Sequence, residues 1–167
     1  MKNHIKMSIL FVFFVIIDQA TKYLAKTSLS GKSDFSVLPN IFSFHYLENA
    51  GAAFGLLQNK TIFFVIITIV IIGVIIYFYL KIPKEKKYNL LRFTCALLAA
   101  GAIGNFIDRI IYTHVIDFLY FELINFPVFN IADCYVTCSA VLLFYLLIFY
   151  YKEDELDFLK SKKNRVQ

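Results

Sequence analysis

The sequence predicts an all-α membrane protein: a four-transmembrane-helix bundle carrying a small extracytoplasmic β-sheet and a periplasmic-side loop/helix segment. Three observations predict it. First, 59% of the 167 residues are hydrophobic and only 17% are charged, more apolar surface than a soluble domain of this length can bury. Second, four apolar stretches approach the ~20 residues that a helix needs to cross a bilayer. Third, one polar stretch between them alternates with the period of a strand.

The first stretch, Met7–Leu24, carries Asp18 and Lys22 near its end. Its basic opening and apolar core could pass for a secretory signal. Ile17 is followed by Asp-Gln-Ala-Thr-Lys rather than by a small-residue cleavage site, so it reads as a retained span. An outer segment, 25–60, follows. In Ile41–Leu47, Phe42, Phe44 and Tyr46 alternate with Ser43 and His45, a strand pattern entered through a turn at Pro39-Asn40. Beyond it, Glu48-Asn-Ala-Gly-Ala-Ala-Phe-Gly55 has side chains small enough to let backbone approach a ligand or another backbone.

The second stretch, Thr61–Leu80, has no charge, and the inner loop Lys81–Asn89 is short and basic. The third, Leu90–Ile107, holds Arg92 at its start and Asn105 near its finish. Its Gly101 and Gly104, among Ala99, Ala100 and Ala102, suit close helix packing. A second outer segment, 108–132, concentrates Asp108, Arg109, His114, Asp117, Glu122 and Asn130. The uncharged run Cys134–Tyr151 makes the fourth span. Without a repeat, low-complexity tract or linker, residues 1–167 read as one integral membrane domain.

Orientation follows from the basic residues. Lys2, Lys6, Lys81, Lys84, Lys86, Lys87, Arg92, Lys152, Lys160, Lys162, Lys163 and Arg165 fall on one side, 12 of the 17 Lys and Arg. The other side and its flanks hold Lys22, Lys26, Lys32, Lys60 and Arg109. That bias predicts cytoplasmic termini. It also accounts for the net charge of +5 without a nucleic-acid partner: the charge is the topology signal, to which anionic lipid headgroups could add.

Most polar features have a plain reading beside a functional one. Asp18 and Lys22, four apart, suit a simple ion pair. Asp108 and Arg109 suit a helix end at the headgroups, and the outer Tyr and Phe an aromatic belt. His114 reads as a loop surface residue. Cys95, Cys134 and Cys138 form no disulfide framework and read as small buried residues, with no spacing that resembles a zinc site. Asp117, in Val-Ile-Asp-Phe, and Asp133, directly before the fourth span, are harder to dismiss. An ionisable group beside hydrocarbon is costly, and neither has an adjacent basic partner. Two carboxylates on one side of a membrane point to acid/base chemistry at its surface.

Five motifs occur in order: Asp18-Gln-Ala-Thr-Lys22, Asn49-Ala-Gly-Ala-Ala-Phe54, Gly101-Ala-Ile-Gly-Asn-Phe-Ile-Asp-Arg109, Val115-Ile-Asp-Phe118 and Phe126-Pro-Val-Phe-Asn-Ile-Ala-Asp133. Together they closely resemble the lipoprotein signal peptidase family, the type II signal peptidases of bacteria, over nearly the whole chain. The resemblance implies a membrane aspartic endopeptidase of the bacterial cytoplasmic (inner) membrane. It implies diacylglyceryl-modified prolipoproteins as substrates, cut before the lipidated cysteine, and binding of a globomycin-type inhibitor. It maps the catalytic aspartates onto Asp117 and Asp133. It maps supporting positions onto Asp18, Lys22, Asn49, Gly51, Gly101, Asn105, Asp108, Arg109, Asn130 and Ala132. Neither a metal nor another cofactor is expected.

The residues suit that chemistry. Two close carboxyls can share one proton, so that one activates water and the other donates. Asp133 at an outward helix N-terminus has a dipole favouring its carboxylate, whereas Asp117 stands among Val115, Ile116, Phe118 and Leu119. Asn130 could orient or cap, and Arg109 could hold a carbonyl. The alternative is a small four-helix proton-coupled transporter using Asp18, which would need little outer structure. A serine hydrolase is disfavoured, because Ser139 lies within a span and no Gly-x-Ser-x-Gly elbow occurs.

Overall fold

The computed structural model describes residues 2–51 and 57–159. Four helices among them are long and apolar enough to cross a membrane: His4–Leu29, Thr61–Lys81, Lys86–Tyr112 and Ile131–Tyr150. We label the helices α1 (Lys2–Leu29), α2 (Thr61–Lys81), α3 (Asn89–Tyr112) and α4 (Ile131–Tyr145, continued by a π turn over Leu146–Tyr150). Their exposed faces are lined with large apolar residues, such as Ile62, Ile66 and Val70 of α2 and Val141, Phe144 and Ile148 of α4. In a bilayer those faces meet lipid, and the helical backbone needs no partner there.

Helix α3 is the centre of the bundle and packs against α1, α2 and α4. Its small residues permit this. A Cβ on Gly101 would stand 2.6 Å from the Ala132 carbonyl oxygen and 2.8 Å from Val136 Cγ2. A Cβ on Gly104 would collide with the Asp18 carboxylate and lie 3.2 Å from the Ala132 Cβ. Overpacking of this kind costs roughly 1–3 kcal/mol. Gly104→Ala is therefore expected to lower the unfolding temperature of the detergent-solubilised protein. An unchanged melting curve would mean that α1 and α4 can retreat freely from α3.

The sheet has the order β1–β2–β3, antiparallel throughout, from β1 (Phe35–Leu38), β2 (Phe42–Asn49) and β3 (Val115–Tyr120). The strand expected over Ile41–Leu47 exists, and Ser43 is its fully buried residue. Strand β3 begins three residues after α3 because Thr113 takes a left-handed conformation (φ 67°) that reverses the chain. Leu47 pairs with Asp117 and Asn49 with Val115. Since side chains alternate along a strand, Asn49 and Asp117 share one face of the sheet.

Several expectations need correction. The first span is longer than Met7–Leu24. The third does not end at Ile107 but runs to Tyr112, so Asp108 and Arg109 are helical residues of α3 rather than members of an outer segment. Helix α4 starts three residues before Cys134, placing Asp133 in its first turn. Asp117 lies on β3, within the segment between the third and fourth spans. Arg92 is wholly buried, bonded to the Glu85 carbonyl (3.2 Å), the Asn89 side chain (3.1 Å) and the Pro83 carbonyl. It ties the α2–α3 connection together. His114 is half-buried and stacked on Tyr112, and Cys138 is exposed. At the opposite end from the sheet, Ile82, Tyr88, Leu91, Leu146 and Tyr151 form a buried apolar cluster.

Candidate active site

Where the sheet meets the C-terminal end of α3 and the N-terminal end of α4, a cavity of about 480 Å³ opens. Asn49, Gly51, Asn105, Arg109, Asp117 and Asp133 line it, with Val115, the Phe126–Phe129 segment and α4 residues completing the wall. The cavity therefore gathers residues from four separate sequence motifs.

Asn130 connects the two aspartates. It caps α4: its Oδ1 accepts from the Asp133 backbone N–H at 3.0 Å, and Asp133 Oδ2 accepts from the Asn130 backbone N–H at 3.1 Å. This reciprocal pair satisfies two N–H groups that a helix start leaves open. The remaining Asn130 amide group is thereby aimed, and its Nδ2 donates to Asp117 Oδ1 at 2.6 Å. One buried side chain thus fixes both carboxyls. Asn49 Nδ2 holds the other oxygen, Asp117 Oδ2, at 2.8 Å, while Asn49 Oδ1 accepts from the Gly51 N–H at 3.0 Å. Asn105 Nδ2 donates to Asp133 Oδ1 at 2.8 Å.

Asp117 is 2% exposed. Burial chiefly, and then the neighbouring Asp133 charge, push its carboxyl up to about 7, against the pull of the Asn49 and Asn130 hydrogen bonds. A carboxyl near this value can both hold and release a proton at neutral pH.

Behind this layer lies an ionic one. Lys22 Nζ reaches Asp18 at 3.0 Å, Asp108 at 2.9 Å and Asn105 Oδ1 at 2.8 Å. All three charged side chains are at most 1% exposed, so this is a buried triad and not the simple i,i+4 pair. Each carboxylate also holds backbone: Asp18 Oδ1 accepts from Ala132 N at 2.9 Å, and Asp108 Oδ2 from Ile116 N at 3.1 Å. The triad thus pins the start of α4 and the start of β3, the two elements that carry Asp133 and Asp117. Lys22 and Asn130 Nδ2 both donate to Asn105 Oδ1, which forces the Asn105 NH₂ toward Asp133.

Arg109 lines the cavity, 4.7 Å above the Phe64 ring. Its guanidinium makes long contacts to the Asn105 carbonyl (3.4 Å) and the Gly51 carbonyl (3.5 Å). Gly101 does not line the cavity and acts through packing. Ala52 to Phe54, the remainder of the Asn49 motif, lie outside the described residues. Gln19, not among the expected site residues, joins this layer: its Nε2 is within hydrogen-bond reach of Asp18 (3.2 Å), Asp108 (3.1 Å) and the Gly104 carbonyl (3.1 Å). A carboxamide inside an apolar span was the available signal.

A family model described as signal peptidase II matches residues 10–149. The chain is 46% identical to the lipoprotein signal peptidase of Caldanaerobacter subterraneus subsp. tengcongensis over 145 residues, 86% of this chain and 97% of that one. It is 44% identical to that of Clostridium tetani (87% and 92% covered) and 42% identical to that of Staphylococcus aureus (82% and 84%). A bacterial membrane enzyme solved by the in meso method at 2.3 Å superposes with a TM-score of 0.78 at 38% identity, covering 89% of this chain and 92% of that one. Another, at 1.9 Å, gives 0.75 at 38% identity, with 87% and 94% covered. Four apolar helices, the ordered motifs and these likenesses lead to one conclusion: the chain belongs to the signal peptidase II family.

Proposed function

We propose that this protein is an aspartic endopeptidase that removes the signal peptide from diacylglyceryl-modified bacterial prolipoproteins, cutting before the lipidated cysteine, with Asp117 and Asp133 as its catalytic pair. The observation that carries the reading is the Asn130 bridge, which holds two carboxyls on the wall of one cavity beside the ends of two apolar helices. Asp133 accepts N–H bonds at both oxygens and serves as the carboxylate that takes a proton from the attacking water. Asp117 holds the proton of the pair and gives it to the scissile carbonyl as the tetrahedral intermediate forms. The two roles then reverse to protonate the leaving amine.

Arg109 is the group for substrate carbonyls, through the donors its long internal contacts leave underused. Asn49, Asn105 and Asn130 hold the carboxyls in place, and Asp18, Lys22, Asp108 and Ala132 hold the elements that carry them. The acyl chains lie in the membrane-facing part of the cleft, where a globomycin-type inhibitor would compete. Residues 1–167 act as one domain in the bacterial cytoplasmic membrane with both termini cytoplasmic, in contact with membrane lipids and without nucleic acid. A proton-coupled transporter is not favoured by relatives that carry the lipoprotein signal peptidase name.

The substrate class is tested through its lipid. A signal helix alone can slide and tilt, because mismatch costs only fractions of a kcal/mol per Å. Two acyl chains on the cysteine fix its depth and add ~0.8 kcal/mol per CH₂ buried. Lipidated and unlipidated prolipoprotein of one sequence, reconstituted with the enzyme in the same bilayer, are expected to differ widely in initial cleavage rate. Equal rates would show that the peptide alone sets the register.

A further inference from the structure

Two thiols share the cavity with the aspartates. Cys134 and Cys138 both line it, together with Asp133 and Thr137. They are four residues apart on α4, so they stand on one helix face with Cβ atoms about 5–6 Å apart. Both are free, Cys134 half-buried and Cys138 exposed. The mechanism above uses neither. The third cysteine, Cys95, is on α3 and packs against the apolar cluster at the other end of the bundle. The chain thus has one place where two thiols face a common space, and it is beside Asp133.

We propose that Cys134 and Cys138 form a dithiol site for a soft, thiophilic ligand of the organic trivalent arsenic class, and that occupancy of this site closes the cleft to substrate. Soft thiolates select soft partners, and an arsenic atom that takes two sulfurs needs two thiols close enough to reach it together, which the i,i+4 spacing supplies. The reaction with phenylarsine oxide balances without a redox partner. Two S–H bonds and the As=O bond break, two As–S bonds form, the two protons and the oxide leave as water, and arsenic stays trivalent. A phenyl group held there projects into the cavity of about 480 Å³. Four residues of helix rise ~6 Å and five rise ~7.5 Å, so Cys138 lies only that far along the axis from Asp133.

The consequence for cleavage rests on the proposed function, whereas the binding does not. The purified full-length protein is treated with phenylarsine oxide and followed by intact mass and by cleavage of the lipidated prolipoprotein. One phenylarsenic group per chain is expected, with two S–H protons lost and cleavage falling in proportion to the modified fraction. A dithiol such as dithiothreitol should reverse both effects, and an equal concentration of monothiol should not. Cys134→Ala and Cys138→Ala, each compared with its own untreated rate, should each lose the adduct that resists monothiol, while Cys95→Ala keeps it. An adduct that survives in either of the first two variants overturns the site, as does a wild-type chain that takes up no arsenical. Full modification with undiminished cleavage overturns the closure of the cleft. If the untreated protein does not cleave the prolipoprotein, the proposed function fails, and the mass readout alone still decides the site.

Discussion

Asp117→Asn and Asp133→Asn are each expected to abolish cleavage of a lipidated prolipoprotein while the protein still inserts and folds. An amide has nearly the shape of a carboxyl but cannot exchange the proton that water activation and leaving-group protonation require. Loss of general acid–base catalysis is worth roughly 10²–10⁴-fold, and in the proposed mechanism both halves of the reaction pass through the same pair. The effect should fall on kcat, with the substrate still bound. Asp117→Asn removes a charge that burial already disfavours but turns its NH₂ toward one of the amide donors of Asn49 and Asn130, so the loss of kcat is read on variant protein whose thermal unfolding shows it folded. Substantial turnover by either variant would remove that residue from the catalytic pair.

The largest effect on stability is expected at Lys22. Its ammonium lies between two carboxylates that have no other cation within salt-bridge reach among the described residues. Lys22→Met keeps most of the side-chain volume but leaves two buried negative charges uncompensated, and breaking a buried pair in this way costs about 3–5 kcal/mol. It also removes one of the two donors, Lys22 and Asn130, that orient the Asn105 amide toward Asp133. Thermal unfolding in detergent should show a large drop for Lys22→Met. Lys22→Met/Asp108→Asn should recover part of it, because one of the two orphaned charges is then gone. A melting temperature unchanged in the single variant would mean that the triad contributes nothing to holding α1, α3 and α4.

Much of this was legible in the residues. The four spans show because apolar runs of helical length have few other uses, and β2 shows because its alternation is regular. The polar motif positions converge because each carries a group that hydrocarbon would reject. What stayed hidden has physical causes. Strand β3 is short and follows α3 after two residues, so Val115–Tyr120 had no room to declare a period of its own. Asp108 and Arg109 end the apolar run in the sequence, yet both fit within α3 because Lys22 neutralises the buried Asp108 and Arg109 faces the cavity. The Lys22 triad joins residues 86 positions apart in the chain, which helix spacing cannot reveal. Cys138 looked like packing, because a thiol inside an apolar run gives no sign of which face meets a cleft.

The shared proton is the centre of the account, and the pH dependence of kcat/KM reads it most directly. The folded Asp117 carboxyl, at about 7, lies above the ~3.9 of an unfolded chain. The folded state therefore keeps a proton that the unfolded chain releases from about pH 4 upward, and the stability gained from it is full below that pH and lost as pH rises toward about 7. Activity should follow the same proton. On a lipidated prolipoprotein, kcat/KM is expected to fall on the alkaline side with an apparent pKa near 7 that belongs to the Asp117–Asp133 pair, under conditions where the protein remains folded. A rate that stays level well above that pH would contradict a catalytic pair holding one proton between Asp117 and Asp133.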